Sequence, residues 1–281
     1  MMRGLRVCAT AVRAPDGNIV VRTAPLSSLY RGRVPRIPFL RGLLALADAL
    51  VLGMQSLSFS AGIQSGEVVG RGPIALSMIS ALVVGLVVFF LLPAAAAHLV
   101  ESAFGWSSFA SNTLEGLIRL ALLIGYVGAI GWMPEIRRVY AYHGAEHMTI
   151  HAFEAQATLD PGSVAAFPRE HPRCGTAFLL TVVVLSIVVF SLFGPMPLAT
   201  RLLSRLLFVP VLASLAYEYI RLTGRWSGSW LGRLLAAPNL AIQRLTTRKP
   251  EPAMIEVAIA AFEAMRQGEA SPAQRPVSAD T

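Results

Sequence analysis

The sequence contains one long run, residues 72–100, without a single Asp, Glu, Lys or Arg. A helix needs about 20 mainly apolar residues to cross the hydrocarbon core of a bilayer. The most apolar part of the run, residues 74–98, therefore predicts a first membrane-spanning helix. Only 14% of the chain is charged, against about 25% in ordinary soluble domains, so too few charges remain to solvate a soluble fold. The run indicates a membrane protein.

Three further segments have the composition of membrane helices. Residues 114–133 are apolar after their first turns, and residues 174–194 carry no charge. Residues 198–220 include Arg201 and Arg205, which we expect to snorkel from a helix end toward the interface. The predicted fold is mainly α, a polytopic integral membrane protein with about four transmembrane helices.

Residues 39–62 are apolar enough to form a fifth span, which would move the N-terminus to the other side of the membrane. However, Arg41, Asp48 and Gln55 recur at seven-residue intervals and therefore share one helix face. In a spanning helix Asp48 would lie near mid-bilayer, at a cost of ~3 kcal/mol or more without a partner. We therefore expect an in-plane or bundle-packed helix, and a spanning helix is the alternative.

The basic residues predict the orientation of the chain. All but one of the 24 Lys and Arg residues are arginine, and the connections between predicted spans alternate basic, neutral, basic, neutral, basic. Because Lys and Arg concentrate in cytoplasmic loops, both termini and residues 134–173 are expected in the cytoplasm. This distribution accounts for the net charge of +8, and no nucleic-acid partner is expected.

The segments outside the apolar runs are expected to form small polar parts. In residues 1–38, two short stretches flank Pro15-Asp16-Gly17, whose Pro and Gly favour a tight turn, so a β-hairpin is expected there. Apolar residues recur at helical spacing in residues 251–266, within a cytoplasmic helical region over residues 221–270. Residues 271–281 are expected to be a disordered tail.

Three of the five histidines fall within residues 142–154, between the second and third predicted spans. A helix turns by about 100° per residue, so the ligand-type side chains of this stretch share one face. Two imidazoles one turn apart can reach a single zinc-sized ion. The stretch therefore predicts either a divalent metal site, with zinc as the favoured ion, or a polar helix whose histidines only form hydrogen bonds. The shared face comprises His143, Glu146, His147, His151 and Glu154.

The residues from His143 to His147 also match the H-x-x-E-H pattern of inverted zinc peptidases. In that interpretation His143 and His147 bind the ion and Glu146 acts as the general base. The pattern fixes only three residues, so the match alone does not assign the chemistry. Gly144, inside the pattern, is also a poor helix former.

A second polar cluster, residues 169–176, leads into the third predicted span. Cys174 lies near a helix start with Arg173 beside it, a setting that lowers the pKa of a thiol and favours the thiolate. His171 or Cys174 can complete a site that the preceding helix begins, with Glu154 as a further ligand. The alternative leaves His171 as an interfacial residue and Cys174 as a small packing residue.

The motifs in residues 142–154 and 171–176 resemble those of the YqhQ-like family of polytopic bacterial membrane proteins. The resemblance extends to Arg41-Gly42, to residues 216–218 and to residues 243–248, and so covers nearly the whole chain. The family is described as a domain of unknown function, and some members are labelled metal-dependent enzymes. What the resemblance implies is thus a metal-dependent enzyme, with a hydrolase as one form, in the inner (plasma) membrane.

The resemblance implies six candidate site residues. His151 is outside the family's pattern, so we expect His151→Ala to have almost no effect on metal content. Two other classes stay open. One is a membrane scaffold or biogenesis factor that contacts protein partners through the cytoplasmic loop, and the other is a transporter. The lipid bilayer is a partner in every case. The six site residues are His143, Glu146, His147, Glu154, His171 and Cys174.

Overall fold

The computed structural model of the chain describes residues 1–26, 37–66, 71–172, 174–226 and 228–270. Helices dominate the structure, as the sequence predicted, and a small antiparallel sheet forms at the N-terminus. The predicted disordered tail, residues 271–281, lies outside the described residues. The same is true of residues 27–36 and of Arg173, which belong to the predicted cytoplasmic segments.

The N-terminal sheet contains the predicted hairpin. Strands β2 (Val7–Arg13) and β3 (Ile19–Pro25) pair antiparallel on either side of the predicted turn. Gly17 has a φ of 88°, a conformation that glycine adopts without steric cost. A short strand that the sequence analysis did not find, β1 (Met2–Arg3), pairs with the other edge of β2. The predicted hairpin is therefore part of a three-stranded sheet.

Ten α-helices follow among the described residues, and a π-helical segment, Val87–Leu91, joins the second to the third. The π-helical segment lies in the first predicted span. The helices are α1 (Leu40–Ser65), α2 (Arg71–Leu86), α3 (Leu92–Phe104), α4 (Ser108–Ile130), α5 (Pro134–Glu154), α6 (Pro161–Val164), α7 (Ala177–Ser191), α8 (Leu198–Arg225), α9 (Trp230–Thr246) and α10 (Pro252–Ala270).

Four helical stretches in the described residues are long and apolar enough to cross a membrane: Leu40–Ser65, Gly72–Phe104, Ser108–Ile130 and Leu198–Arg225. The chain is therefore a membrane protein with the predicted number of candidate spans, but the set differs from the predicted one. Helix α7 is apolar but has only 15 residues, which extend about 22 Å at ~1.5 Å per residue. That is less than the ~30 Å hydrocarbon core, whereas α1 has the required length.

Helix α1 packs against the N-terminal sheet. Asp48 of α1 is only 3% exposed and pairs with Arg3 of β1, with 2.6 Å between the guanidinium nitrogen and the carboxylate oxygen. Two turns further along, Ser56 Oγ lies 2.8 Å from Thr10 Oγ1 of β2. The sheet therefore supplies the partner that a buried aspartate requires.

A buried network of charged side chains joins α3, α4 and α8. Glu115 and Arg119 pair at 2.7 Å, which their i, i+4 spacing favours. Arg205 donates to both carboxylate oxygens of Glu115, and Arg201 pairs with Glu101 at 2.6 Å. Arg201 and Arg205 are 2% and 0% exposed, so the expectation that they snorkel is wrong. The carboxylates of α3 and α4 hold both guanidinium groups inside the protein.

The π-helical segment Val87–Leu91 has an identifiable cause. Pro93 has no N–H, so the Phe89 carbonyl four residues earlier loses its usual intrahelical donor. Arg119 Nε of α4 donates to this carbonyl at 2.7 Å, and its Nη1 donates to Ser186 of α7 at 2.6 Å. One buried guanidinium therefore connects three helices.

Helix α5 has two different environments. One face contributes to an apolar core with α6, α10 and β1, and this core includes Met2, Ala145, Met148, Ile255 and Phe262. The other face carries the histidines. The loop before α7 and the end of α9 contact that face through hydrogen bonds, so it becomes a partly closed polar site.

Candidate metal centre

His143, His147 and Cys174 form the first of two groups that can hold a metal ion. One ligand atom from each residue lies within 4.8 Å of the others. Nε2 of His143 is 3.2 Å from the Cys174 sulfur, and the rings of His143 and His147 have centroids 4.3 Å apart. His147 and Cys174 are buried. The structure therefore brings helix α5 and the segment before α7 together, as the sequence predicted.

His151, Glu154 and His171 form the second group, with ligand atoms again within 4.8 Å of one another. Nε2 of His171 lies 3.6 Å from Oε2 of Glu154, and the ring centroids of His151 and His171 are 4.7 Å apart. The sequence analysis put Glu154 and His171 in one site with the other candidates. In the structure Glu154, at the end of α5, and His171, in the loop before α7, lie beside His151, which was not among the six predicted site residues.

Each histidine of α5 has one ring nitrogen within hydrogen-bond distance of a backbone carbonyl. Such a bond keeps the N–H on that nitrogen and fixes the ring orientation, so the second nitrogen becomes a ligand for an ion once its own proton is lost. Outer hydrogen bonds of this kind are typical of metal-ligating histidines. The pairs are His143 Nδ1 with Thr246 at 2.9 Å, His147 Nδ1 with Arg169 at 2.5 Å, and His151 Nε2 with Glu170 at 2.8 Å.

Gln243 of α9 holds the loop that carries His171. Its Oε1 accepts from the backbone N–H of His171 at 2.8 Å, and its Nε2 donates to the His171 carbonyl at 3.0 Å. Gln243 is fully buried. Sequence reasoning did not select Gln243 or Thr246 as site residues, although both lie in the segment 243–248 that carries part of the family resemblance. Helix α9 therefore positions residues of both groups.

Gly144 is required by close packing between α5 and the segment after α9. A Cβ at this position would collide with the carbonyl oxygen of Arg248. The backbone N–H of Arg248 donates to the Tyr140 carbonyl at 2.9 Å, which holds the segment in place. Glycine in a helix costs about 1 kcal/mol relative to alanine. At this position it permits the close packing that brings the Thr246 carbonyl to His143.

The Cys174 thiol is held as a thiolate near neutral pH. Burial alone raises its pKa, but hydrogen bonds and charge interactions with His143 and His147 outweigh burial and lower the pKa to about 5. For His143 burial acts in the opposite direction and lowers the pKa, but the hydrogen bond to Cys174 outweighs burial and the pKa is raised. The thiolate is the form in which cysteine binds metals. Two histidines of α5 produce this effect, and Arg173, to which the sequence prediction assigned it, lies outside the described residues.

Glu146 belongs to neither group in the described part of the chain. Its side chain lines a cavity of about 530 Å³ between α1, α5, α10 and the sheet. His143 and Tyr142 line the same cavity. The predicted general base, Glu146, therefore lines the same cavity as His143 but is not a member of the first group.

Comparisons with known proteins agree with the predicted resemblance. A family model described as a protein of unknown function (DUF1385) matches residues 37–268, which include both groups. YqhQ of Bacillus subtilis strain 168 is 32% identical to this chain, in a match that covers 96% of this chain and 90% of that protein. No solved structure matches the chain. The chain therefore belongs to the DUF1385 family, with YqhQ as a relative over nearly its whole length.

Proposed function

We propose that the chain is an integral membrane metalloenzyme that binds a divalent ion, preferably zinc, between His143, His147 and Cys174. The observation that carries the proposal is the convergence of two carbonyl-anchored imidazoles on one thiolate. Sulfur and imidazole nitrogen are ligands that zinc prefers. Three protein ligands leave a fourth position open, which is typical of catalytic rather than structural zinc sites.

The spacing of the first group is compatible with zinc. Zinc–nitrogen and zinc–sulfur bonds of ~2.0 and ~2.3 Å in a tetrahedron put the two ligand atoms about 3.5 Å apart. The His143 Nε2 to Cys174 Sγ distance is 3.2 Å. This pair is therefore already near that spacing, and the ligand atom of His147 lies within 4.8 Å of both.

Hydrolysis is the reaction class that these residues support best. The ion supplies Lewis acidity when it is bound. Glu146 lines the same cavity as His143, and we assign it the role of accepting a proton from a water molecule there. Leu57, Val139 and Val257 make other parts of the wall apolar, so the cavity favours a substrate with an apolar portion next to its reacting polar group.

Metal content and cobalt spectroscopy test the first group. We expect full-length protein purified in detergent to contain stoichiometric zinc, and its Co²⁺ form to show a thiolate-to-cobalt charge-transfer band. His143→Ala and Cys174→Ala should remove that band, because each deletes a ligand, whereas Glu146→Gln should keep it. His98→Ala, in α3, is the matched histidine control. Protein without stoichiometric metal and without the band would instead favour the scaffold class.

We also propose that both termini and the metal centre face the cytoplasm in the inner (plasma) membrane. The alternation of arginine-rich and arginine-free connections supports this orientation. It requires the short α7 to cross the membrane together with the three long spans after α1, a length mismatch that local thinning of the bilayer can accommodate. The sheet against α1 supports the in-plane or bundle-packed interpretation of that helix, because it brings charged Arg3 and Arg22 to Asp48 and to the ring of Phe59. Such arginines are costly inside hydrocarbon.

Cysteine accessibility tests this orientation. In a background in which both native cysteines are serine, we introduce single cysteines by Asp16→Cys, Ala155→Cys and Trp106→Cys, all at exposed positions. A membrane-impermeant maleimide applied to spheroplasts should label only the Trp106→Cys variant, and lysis should expose the other two. Labelling of Asp16→Cys before lysis would show that α1 spans the membrane. Labelling of Ala155→Cys before lysis would reverse the whole orientation.

A further inference from the structure

We propose that the centre is binuclear, with a second divalent ion bound by His151, Glu154 and His171 one helical turn from the first. This inference rests on the proposed metal function of the first group, but it concerns three different side chains. It also assigns a role to His151, whose position outside the family's pattern predicted none.

The three side chains offer a recognised ligand set. His151 and Glu154 are three residues apart on α5 and therefore share a face, and His171 approaches from the loop before α7. Two histidines and one carboxylate hold the ion in several catalytic zinc sites. Nε2 of His171 and Oε2 of Glu154 lie 3.6 Å apart, close to the ~3.4 Å expected between nitrogen and oxygen ligands of one tetrahedral zinc ion.

The loop before α7 orients ligands of both groups. The carbonyls of Arg169 and Glu170, which are consecutive in the chain, anchor His147 of the first group and His151 of the second. The hydrogen bond restricts the rotation of each histidine side chain, which would be free in a solvated histidine. His147 is anchored through Nδ1 and His151 through Nε2, so Nδ1 of His151 is the nitrogen that we assign to the second ion.

The two positions differ in chemistry. No residue is shared between the groups, and the His147 and His171 rings, one from each, have centroids 5.7 Å apart. The first position includes a thiolate and selects a soft or borderline ion, whereas imidazole and carboxylate ligands also accept harder ions such as Mn²⁺. The side chain of Glu154 is 39% exposed, so we expect a chelator to reach the second ion first.

Metal stoichiometry of the full-length protein in detergent tests the second position. After loading with Zn²⁺ and removal of excess metal, wild-type protein should hold two equivalents, and His151→Ala and Glu154→Gln should hold one each. Loaded with Co²⁺, both variants should keep the thiolate-to-cobalt band. Cys174→Ala should also hold one equivalent but lose the band. His98→Ala should hold two, as the control histidine outside both groups.

The outcomes separate the two proposals. One equivalent in wild-type protein, with the thiolate band present, overturns the second ion and leaves the first. Absence of metal in wild-type protein overturns both. Two equivalents in wild-type protein and in both second-group variants also overturn the assignment to His151 and Glu154. Because Glu154→Gln preserves side-chain shape, it keeps the test valid if His151→Ala fails to fold.

Discussion

Glu115→Leu should lower the free energy of unfolding by about 3–5 kcal/mol, the cost of breaking a buried ion pair by removing one partner. The carboxylate of Glu115 accepts hydrogen bonds from Arg119, at 2.7 Å, and from Arg205, at 2.7 and 2.9 Å. All three side chains are fully buried. The substitution leaves the guanidinium groups without a carboxylate inside the helix bundle. A denaturation titration of purified protein in detergent measures the loss.

Two companion variants identify the cause of that loss. Glu101→Gln alters the same network at its rim, where the carboxylate is 18% exposed, and should cost much less because water screens the change. The double variant Glu115→Leu/Arg205→Leu should recover only part of the stability, because it removes one of the two guanidinium groups that lose their partner and leaves Arg119 buried without a carboxylate. A single Glu115→Leu variant as stable as Glu101→Gln would contradict the assigned role.

The sequence contained part of this network but not all of it. Helical spacing is sufficient to pair Glu115 with Arg119, because both partners belong to one helix. Arg205 and Glu115 are 90 residues apart in the chain, so their contact depends on α4 and α8 becoming neighbours in the fold. The same limit applies to α1. The charge of Asp48 in an apolar helix favoured an in-plane or bundle-packed helix over a span, but only the packing of the sheet against α1 identifies Arg3 as its partner.

The candidate site shows a similar division. The four-residue spacing of His143, His147 and His151 predicted a shared face because the helix alone determines it. The division into two groups depends on the path of the loop before α7, which brings Cys174 to one turn of α5 and His171 to the next. Neither that path nor the anchor provided by Gln243 follows from local spacing, since α9 is a separate element of the chain.

Cys174 should react with an alkylating reagent as a thiolate in mildly acidic as well as neutral solution. Its pKa is lowered from 9.0 to about 5, because hydrogen bonds from His143 and His147 outweigh burial. At pH 7 this change raises the thiolate fraction about 100-fold. The stabilisation from the thiolate is complete above about pH 9 and is lost as the pH falls through about 5. Burial instead raises the pKa of Cys8.

The pH dependence of alkylation separates this effect from differences in access, which alter the rate without moving its midpoint. We expect a midpoint near pH 5 in a Cys8→Ser background after treatment with a chelator. His143→Ala should move the midpoint upward, because it removes the donor 3.2 Å from the sulfur. His151→Ala is the matched control and should leave it in place, since that ring bonds to the Glu170 carbonyl instead. A midpoint near 9 in the Cys8→Ser background, unchanged by His143→Ala, would show that the imidazoles do not stabilise a thiolate.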